Sequence, residues 1–226
     1  MFGMDLGELL FVISYAAIPA VLAITLHEVA HGWAAKQLGD PTAFKLGRLS
    51  VNPIKHIDPL GTVIVPIGLA LLTNGATTFG WAKPVPVVFG NLNNPKRDMI
   101  LVAAAGPGAN LVMAAFWALF AMLLFGLDVS GSLFGGWLIL ACAAGISFNV
   151  LLMVFNLVPI PPLDGGRVLT GLLPQPASDF LARIEPFGFI IVLLLVLGPV
   201  PVLWNVMEPF ARFFLDFFYS AAGLRN

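Results

Sequence analysis

Charge is what this chain has least of. Only 10% of its 226 residues are Asp, Glu, Lys or Arg, and the 11 basic side chains nearly balance the 12 acidic ones. With no basic run and a net charge of −1, it lacks the electrostatic footprint of a nucleic-acid binder. A single cysteine, Cys142, excludes a disulfide framework within the chain and leaves the redox compartment undetermined. Histidine is scarce as well, with three copies, two of them four positions apart. What is abundant is apolar: 59% hydrophobic residues and a mean hydropathy of +0.95 indicate a membrane protein.

The gaps between charged residues leave five long uncharged runs, 9–26, 59–82, 99–127, 129–163 and 186–207. Each is near or above the roughly 18 to 20 residues a helix needs to cross the hydrocarbon core. The run 59–82 is broken by Pro66, Gly68, Asn74, Gly75 and Gly80, so four crossings and one interrupted segment are expected. The first run lacks a basic leader and reads as a retained helix rather than a removable signal.

Lys36, Lys45, Arg48 and Lys55 follow the first helix, whereas Asp5 and Glu8 precede it; the positive-inside rule then places the N-terminus outside. The absence of Lys and Arg between Asp128 and Gly136, and Arg167 and Arg183 beyond, send the third and fourth runs out and back. Residues 59–95 must then return to the side they left. The string WAKPVPVVFG, with valine and proline alternating, fits an extended re-entrant segment. Non-helical backbone at membrane depth survives only when buried in protein or facing a water-filled cavity. At the C-terminus Phe210, Phe213, Phe214, Phe217 and Phe218 form a helical stripe, read as an interfacial helix or a final helix packed on the bundle.

The first helix carries LHEVAHG at 26–32. His27 and His31 stand at i and i+4, one above the other on a helix, with Glu28 beside them. This is H-E-x-x-H, in which two histidines bind zinc and the glutamate acts as general base; chance yields it in roughly one such chain in a thousand. At 1.5 Å per residue His27 lies about 13 Å along the helix from Lys36, which places the site within the membrane nearer the cytoplasmic face. A catalytic zinc normally takes three protein ligands. Asp164, at the end of the 129–163 run, is the best-placed third ligand, with a helix N-cap as its other reading. His56 reads as a polar loop residue first and a substrate or ligand residue second. Asn110 and Asn149 read as helix-to-helix hydrogen-bonding groups, although Asn110, in the GPGAN break, could face a cleft. Gly106, Pro107, Gly108, Pro159, Pro161 and Pro162 are expected to hold that cleft open to water. The extended edge around Val85 to Phe89 offers backbone for an unwound substrate to pair with, limited by Pro84 and Pro86.

HEVAHG at 27–32 and NLVPIPPLDGG at 156–166 together resemble the site-2 protease family of intramembrane metalloproteases. GRLSVNPIKHIDPLGT, FGWAKPVPV and AAGPGAN between them resemble the compact branch of that family, without a PDZ domain. The resemblance covers most of residues 20–170. It implies one zinc ion held by His27, His31 and Asp164, with Glu28 activating water. It also implies a place for Asn156 near the substrate backbone and for the segment from Trp81 through Val85 and Val87 to Phe89 in aligning the substrate. The expected partners are a transmembrane protein substrate and the lipid bilayer, and the expected location is a prokaryotic inner membrane.

The expected fold is an all-α polytopic membrane protein of about five to six transmembrane or re-entrant segments, with a short extended or hairpin segment near the active site. A single domain over 1–226 is expected, with a catalytic core at about 8–175 and C-terminal helices at about 184–226. Two other readings of the residues stand beside the protease: a metal-ion transporter using the same three ligands, and a catalytically silent scaffold of the same fold. A non-haem iron oxygenase also uses two histidines and a carboxylate, but three histidines are few for a membrane enzyme of that chemistry.

Overall fold

The computed structural model describes residues 6–72, 80–197 and 202–224. Among the described residues there are helices and turns but no β-strand. The helices are α1 (Leu6–Gln37), α2 (Thr42–Lys45), α3 (Val65–Leu72), α4 (Pro95–Gly126), α5 (Leu133–Asn156), α6 (Asp164–Leu172), α7 (Gln175–Leu197) and α8 (Val202–Ala221).

Local chemistry sets the ends of the long helices. α1 carries Glu8 in its first turn and Lys36 in its last, each charge complementing the helix dipole. α4 opens with Pro95 in its first turn, where the missing N–H costs nothing, and the Asn94 N–H donates to Asp98 Oδ2 at 2.8 Å. α5 is capped by Ser132, whose Oγ accepts from Gly135 N at 2.9 Å.

Three helices among the described residues, α1, α4 and α5, are long and apolar enough to cross a membrane. They pack against one another, with α6 on α4, α8 on α5 and α4, and α7 against α6 and α8. Small residues make close approach possible where they meet: Ala23, Ala103, Gly106 and Gly145 are all buried. A second core is formed by Trp117, Ala121, Cys142, Ile146, Val150, Met153 and Met207 between α4, α5 and α8. The outward faces are apolar too, with Leu10, Phe11, Ile13 and Ile18 exposed on α1 and Val112, Phe116 and Leu119 on α4. A surface this apolar suits lipid rather than water.

The uncharged run 129–163 is not one helix. α5 ends at Asn156, and the chain turns through 157–163 before α6 starts at Asp164. Pro159, Pro161 and Pro162 cannot donate to a helical ladder, which is why the helix stops there. The run 59–82 breaks up as well, into a wide helical turn at Pro59–Ile64 and the short α3; Asn74 and Gly75 lie outside the described residues. The phenylalanine stripe of α8 divides between two faces. Phe210, Phe213 and Phe217 are exposed, whereas Phe218 is buried and Phe214 packs on the α4/α5 core.

From Gly80 to Val88 the chain is non-helical and forms a strap across the end of α1. Trp81 N donates to Gly61 O at 3.0 Å and Lys83 N to His56 O at 2.9 Å, so alternate residues face the same neighbour as in an extended chain. The far end of the strap is tied to Asp40, which has no exposed surface. Its carboxylate accepts from Val88 N at 2.7 Å, Asn91 Nδ2 at 3.1 Å, Thr42 N at 3.1 Å and the Thr42 hydroxyl. Burial by itself would raise the Asp40 pKa, but these hydrogen bonds outweigh it and hold the carboxyl below its ordinary value. A lowered native pKa gives stability that is complete above pH about 4 and is lost as pH falls through the native value. Asp40→Ala, which strands buried donors, is expected to cost about 1 to 3 kcal/mol. Thermal unfolding in detergent across pH 3 to 7 tests this: the wild-type Tm should fall on acidification, and that of Asp40→Ala should start lower and fall less.

Candidate metal centre

The middle of the bundle, where α1, α4, α5 and the start of α6 meet, holds three of the predicted polar residues together. His27 Nε2 and His31 Nε2 lie 3.1 Å apart, as two residues one helical turn from each other must when their rings converge. Asp164 Oδ2 is 3.2 Å from the first and 3.3 Å from the second. Among the described residues this is the cluster whose ligand atoms are near enough to hold a metal ion.

Each element delivers its side chain for a local reason. α1 is unbroken through the motif, which keeps His27 and His31 in register. Gly106 on α4 gives the rings their room: a Cβ there would stand 2.3 Å from His31 Nε2 and 2.7 Å from His27 Cε1. Asp164 is the first residue of α6, one past the N-cap position held by Leu163, so the N-cap reading does not describe it. The glycines that follow fix its place. A Cβ on Gly165 would lie 2.2 Å from Leu157 O, and one on Gly166 would lie 2.2 Å from Pro161 N, so only D-G-G lets α6 begin against the turn that ends α5.

The donor set fits zinc. His31 Nδ1 lies 2.7 Å from Val102 O, and a carbonyl only accepts, so this ring carries its proton on Nδ1 and turns a bare Nε2 lone pair inward. Asp164 Oδ2 is buried without a hydrogen-bond partner. Acceptor atoms facing each other at this range repel unless a cation lies between them. A tetrahedral ion with bonds of about 2.0 to 2.1 Å sets its ligand atoms about 3.3 to 3.4 Å apart, close to the three separations found. Two imidazoles and a carboxylate are also a donor set that zinc prefers over harder cations.

Glu28 stands beside the cluster, half-buried, and its Oε2 accepts from Val85 N at 2.7 Å. Val85 is the only residue of Pro84-Val85-Pro86 with an N–H, and that donor is committed to Glu28. Trp81 sits at the strap's start, with its ring edge-on to Phe189 at 4.8 Å between centroids. Val87 is half-buried and packs on the cluster of Ala34, Ala35, Leu92 and Val102.

The remaining candidates lie elsewhere. His56 is buried outside the cluster, with Nε2 2.8 Å from Ser50 O, and its carbonyl receives Lys83 of the strap. Asn156, at the last turn of α5, donates to Leu152 O at 2.9 Å. Asn110 has no exposed surface and does not face a cleft; its Oδ1 lies 2.6 Å from His27 Nδ1. Gly106 is likewise a seat for the histidines rather than a wall of an open cleft. The sequence offered no direct sign of Val102, whose contribution is a backbone carbonyl; the small residues of AAAGPG were the available hint for Gly106.

Fold and site together define a helical membrane metalloprotein with a zinc-type donor set. Residues 135–197, from α5 through α7, match the model of peptidase family M50. The chain is 36% identical over 198 residues to "Putative zinc metalloprotease YwhC" of Bacillus subtilis, covering 86% of each chain. It is 31% identical over 196 residues to "Putative zinc metalloprotease Rip2" of Mycolicibacterium smegmatis, covering 81% of this chain and 67% of that one. A Rip2 of Mycobacterium tuberculosis is 28% identical over 199 residues, with 85% and 73% covered. No solved structure matches the chain significantly. The chain belongs to peptidase family M50 and is a membrane zinc metalloprotease.

The seat provided by Gly106 can be tested alone. In Gly106→Ala the added methyl displaces both rings, and zinc per chain after dialysis against a weak chelator should fall by about tenfold or more. Gly108→Ala, a position with open space around its would-be Cβ, should leave zinc content unchanged.

Proposed function

We propose that the chain hydrolyses peptide bonds within or next to transmembrane segments of membrane-protein substrates, with one zinc ion held by His27, His31 and Asp164 and with Glu28 as general base. The observation that carries this reading is the convergence of His27 Nε2, His31 Nε2 and Asp164 Oδ2 within 3.3 Å, with Glu28 adjacent on the same helix. A zinc ion held there supplies Lewis acidity and makes a nucleophilic water available near neutral pH.

The chain's own residues do the rest. Glu28 accepts the proton of the attacking water and returns it to the amine of the departing strand. The Val85 N–H orients this carboxylate through one oxygen, so the base is held in place from the strap as well as from its own helix. The strap is also the natural guide for an unwound substrate. The amides of Trp81, Lys83 and Val85 alternate along one edge and are bonded to the protein's own groups, so a substrate strand would add on the opposite edge, where the Val88 amide is already committed to Asp40. There Pro84 and Pro86 bring no donor, and recognition rests on backbone carbonyls and on the side chains around Val87. Asn156, near the turn that leads to Asp164, is assigned to the substrate backbone, and His56 to holding the strap through its carbonyl.

Position along α1 supports a site inside the bilayer. His27 precedes Lys36 by about 13 Å of continuous helix, which sets the chemistry nearer the cytoplasmic face of a multi-pass protein of the inner membrane.

Purified protein incubated with a single-span substrate in detergent is the direct test, with cut sites read by mass spectrometry. Cleavage should fall within or beside the span. Glu28→Gln should keep its zinc and lose about 10²- to 10⁴-fold in rate. A Glu28→Gln variant that cleaves at the wild-type rate with zinc bound would remove Glu28 from the role of base.

A further inference from the structure

We propose that Asn110 is a positioning residue for the metal centre, fixing the tautomer of His27 so that its Nε2 is available to zinc. The inference rests on the reading of His27 as a ligand and goes beyond it.

His27 presents Nε2 to the cluster and Nδ1 to Asn110 Oδ1 at 2.6 Å. A neutral imidazole carries its proton on one nitrogen only, so whatever faces Nδ1 decides whether Nε2 is a lone pair or an N–H. An amide offers both possibilities, since its oxygen accepts and its nitrogen donates. The surrounding bonds remove that ambiguity. Asn110 Nδ2 is 3.2 Å from Ala23 O and 2.9 Å from Asn149 Oδ1. Ala23 O is a carbonyl and can only accept, so the amide nitrogen must point that way and the oxygen must point at His27. Asn149 is fixed by the same logic, because its Nδ2 donates to Gly145 O at 2.8 Å and its oxygen therefore turns to Asn110. Two backbone carbonyls thus set a one-way chain of hydrogen bonds from His27 through Asn110 and Asn149 to Gly145. Both asparagines are fully buried, where no water competes for these bonds.

In that arrangement His27 Nδ1 must carry the proton and donate it to Asn110. The two histidines reach the same state by different means: His31 is set by the carbonyl of Val102, and His27 by a side chain borrowed from α4 and braced from α5. A backbone carbonyl at His31 cannot be altered by substitution, whereas Asn110 can.

The experiment compares Asn110→Leu and Asn110→Asp with the wild-type chain in detergent, reading zinc affinity by competition with a chromophoric chelator and folding by thermal unfolding. Leucine keeps the bulk and removes the acceptor. Aspartate keeps an acceptor toward His27 Nδ1 and removes both donors. Both variants should unfold at lower temperature. Zinc affinity should fall about 10- to 100-fold in Asn110→Leu and stay near wild type in Asn110→Asp. Wild-type affinity in Asn110→Leu, or equal losses in both variants, would overturn the proposal and leave Asn110 a packing residue. His27→Ala serves as the control on the underlying reading: if it retains zinc at wild-type affinity, the ligand assignment fails whatever Asn110 does.

Discussion

Three acceptor atoms held within about 3.3 Å of one another inside an apolar bundle are the constraint on which the rest of this structure depends. Without a cation they would repel, and in a low-dielectric interior that repulsion is not screened. The fold must therefore hold them together against their own electrostatics, poised for a cation. It does so with rigid pieces: one uninterrupted helix for the two histidines, a glycine seat on the facing helix, and a helix start pinned by D-G-G against the turn before it. None of these is a long flexible side chain reaching across a gap. A donor set preorganised in this way also limits the entropy lost when the metal binds.

The same requirement explains the choice of small residues where the helices meet. Lipid outside the bundle is as apolar as the side chains within it, so helices here gain little from hiding leucine and more from close contact and buried hydrogen bonds. Gly106 and Gly145 let α1, α4 and α5 approach, and the asparagines 110 and 149 lie in the space between them. Close packing and polar satisfaction are one arrangement: a larger residue at either glycine would push apart the groups that the asparagines connect.

How much of this was legible in the sequence follows from how local each signal is. His27 and His31 are paired by helical periodicity alone, so their convergence could be read directly from spacing. Asp164 had two readings, cap and ligand, because the choice depends on where a residue more than one hundred positions earlier lies in space. Asn110 was harder still. A helix-to-helix bond and a cleft-facing amide look the same in sequence, and only the two carbonyls around it distinguish them. The uncharged run 129–163 predicted one span, and α5 is that span, but charge gaps do not register prolines as helix ends and so could not place its end at Asn156. The phenylalanines of α8 looked like one stripe, yet a helix that packs on α5 and also meets lipid needs apolar residues on both faces, so periodicity could not divide them.

The strap draws these features into one functional unit. Its donor at Val85 holds the Glu28 carboxylate, its donor at Val88 is anchored on buried Asp40, and its start is pinned by Trp81 to the turn at Gly61. Proline on both sides of Val85 has a consequence for this geometry. With no N–H at 84 or 86, the segment cannot join a continuous ladder with an incoming chain, and Val85 cannot exchange its bond to Glu28 for a shift of the strap by one residue. The Glu28 carboxylate and the edge beside it are therefore locked in a single register. Under the proposed function, a substrate unwinding beside this site would meet a fixed edge and a fixed carboxylate, and the selection of which bond is cut would fall on how far the substrate's own backbone can be drawn out of its helix.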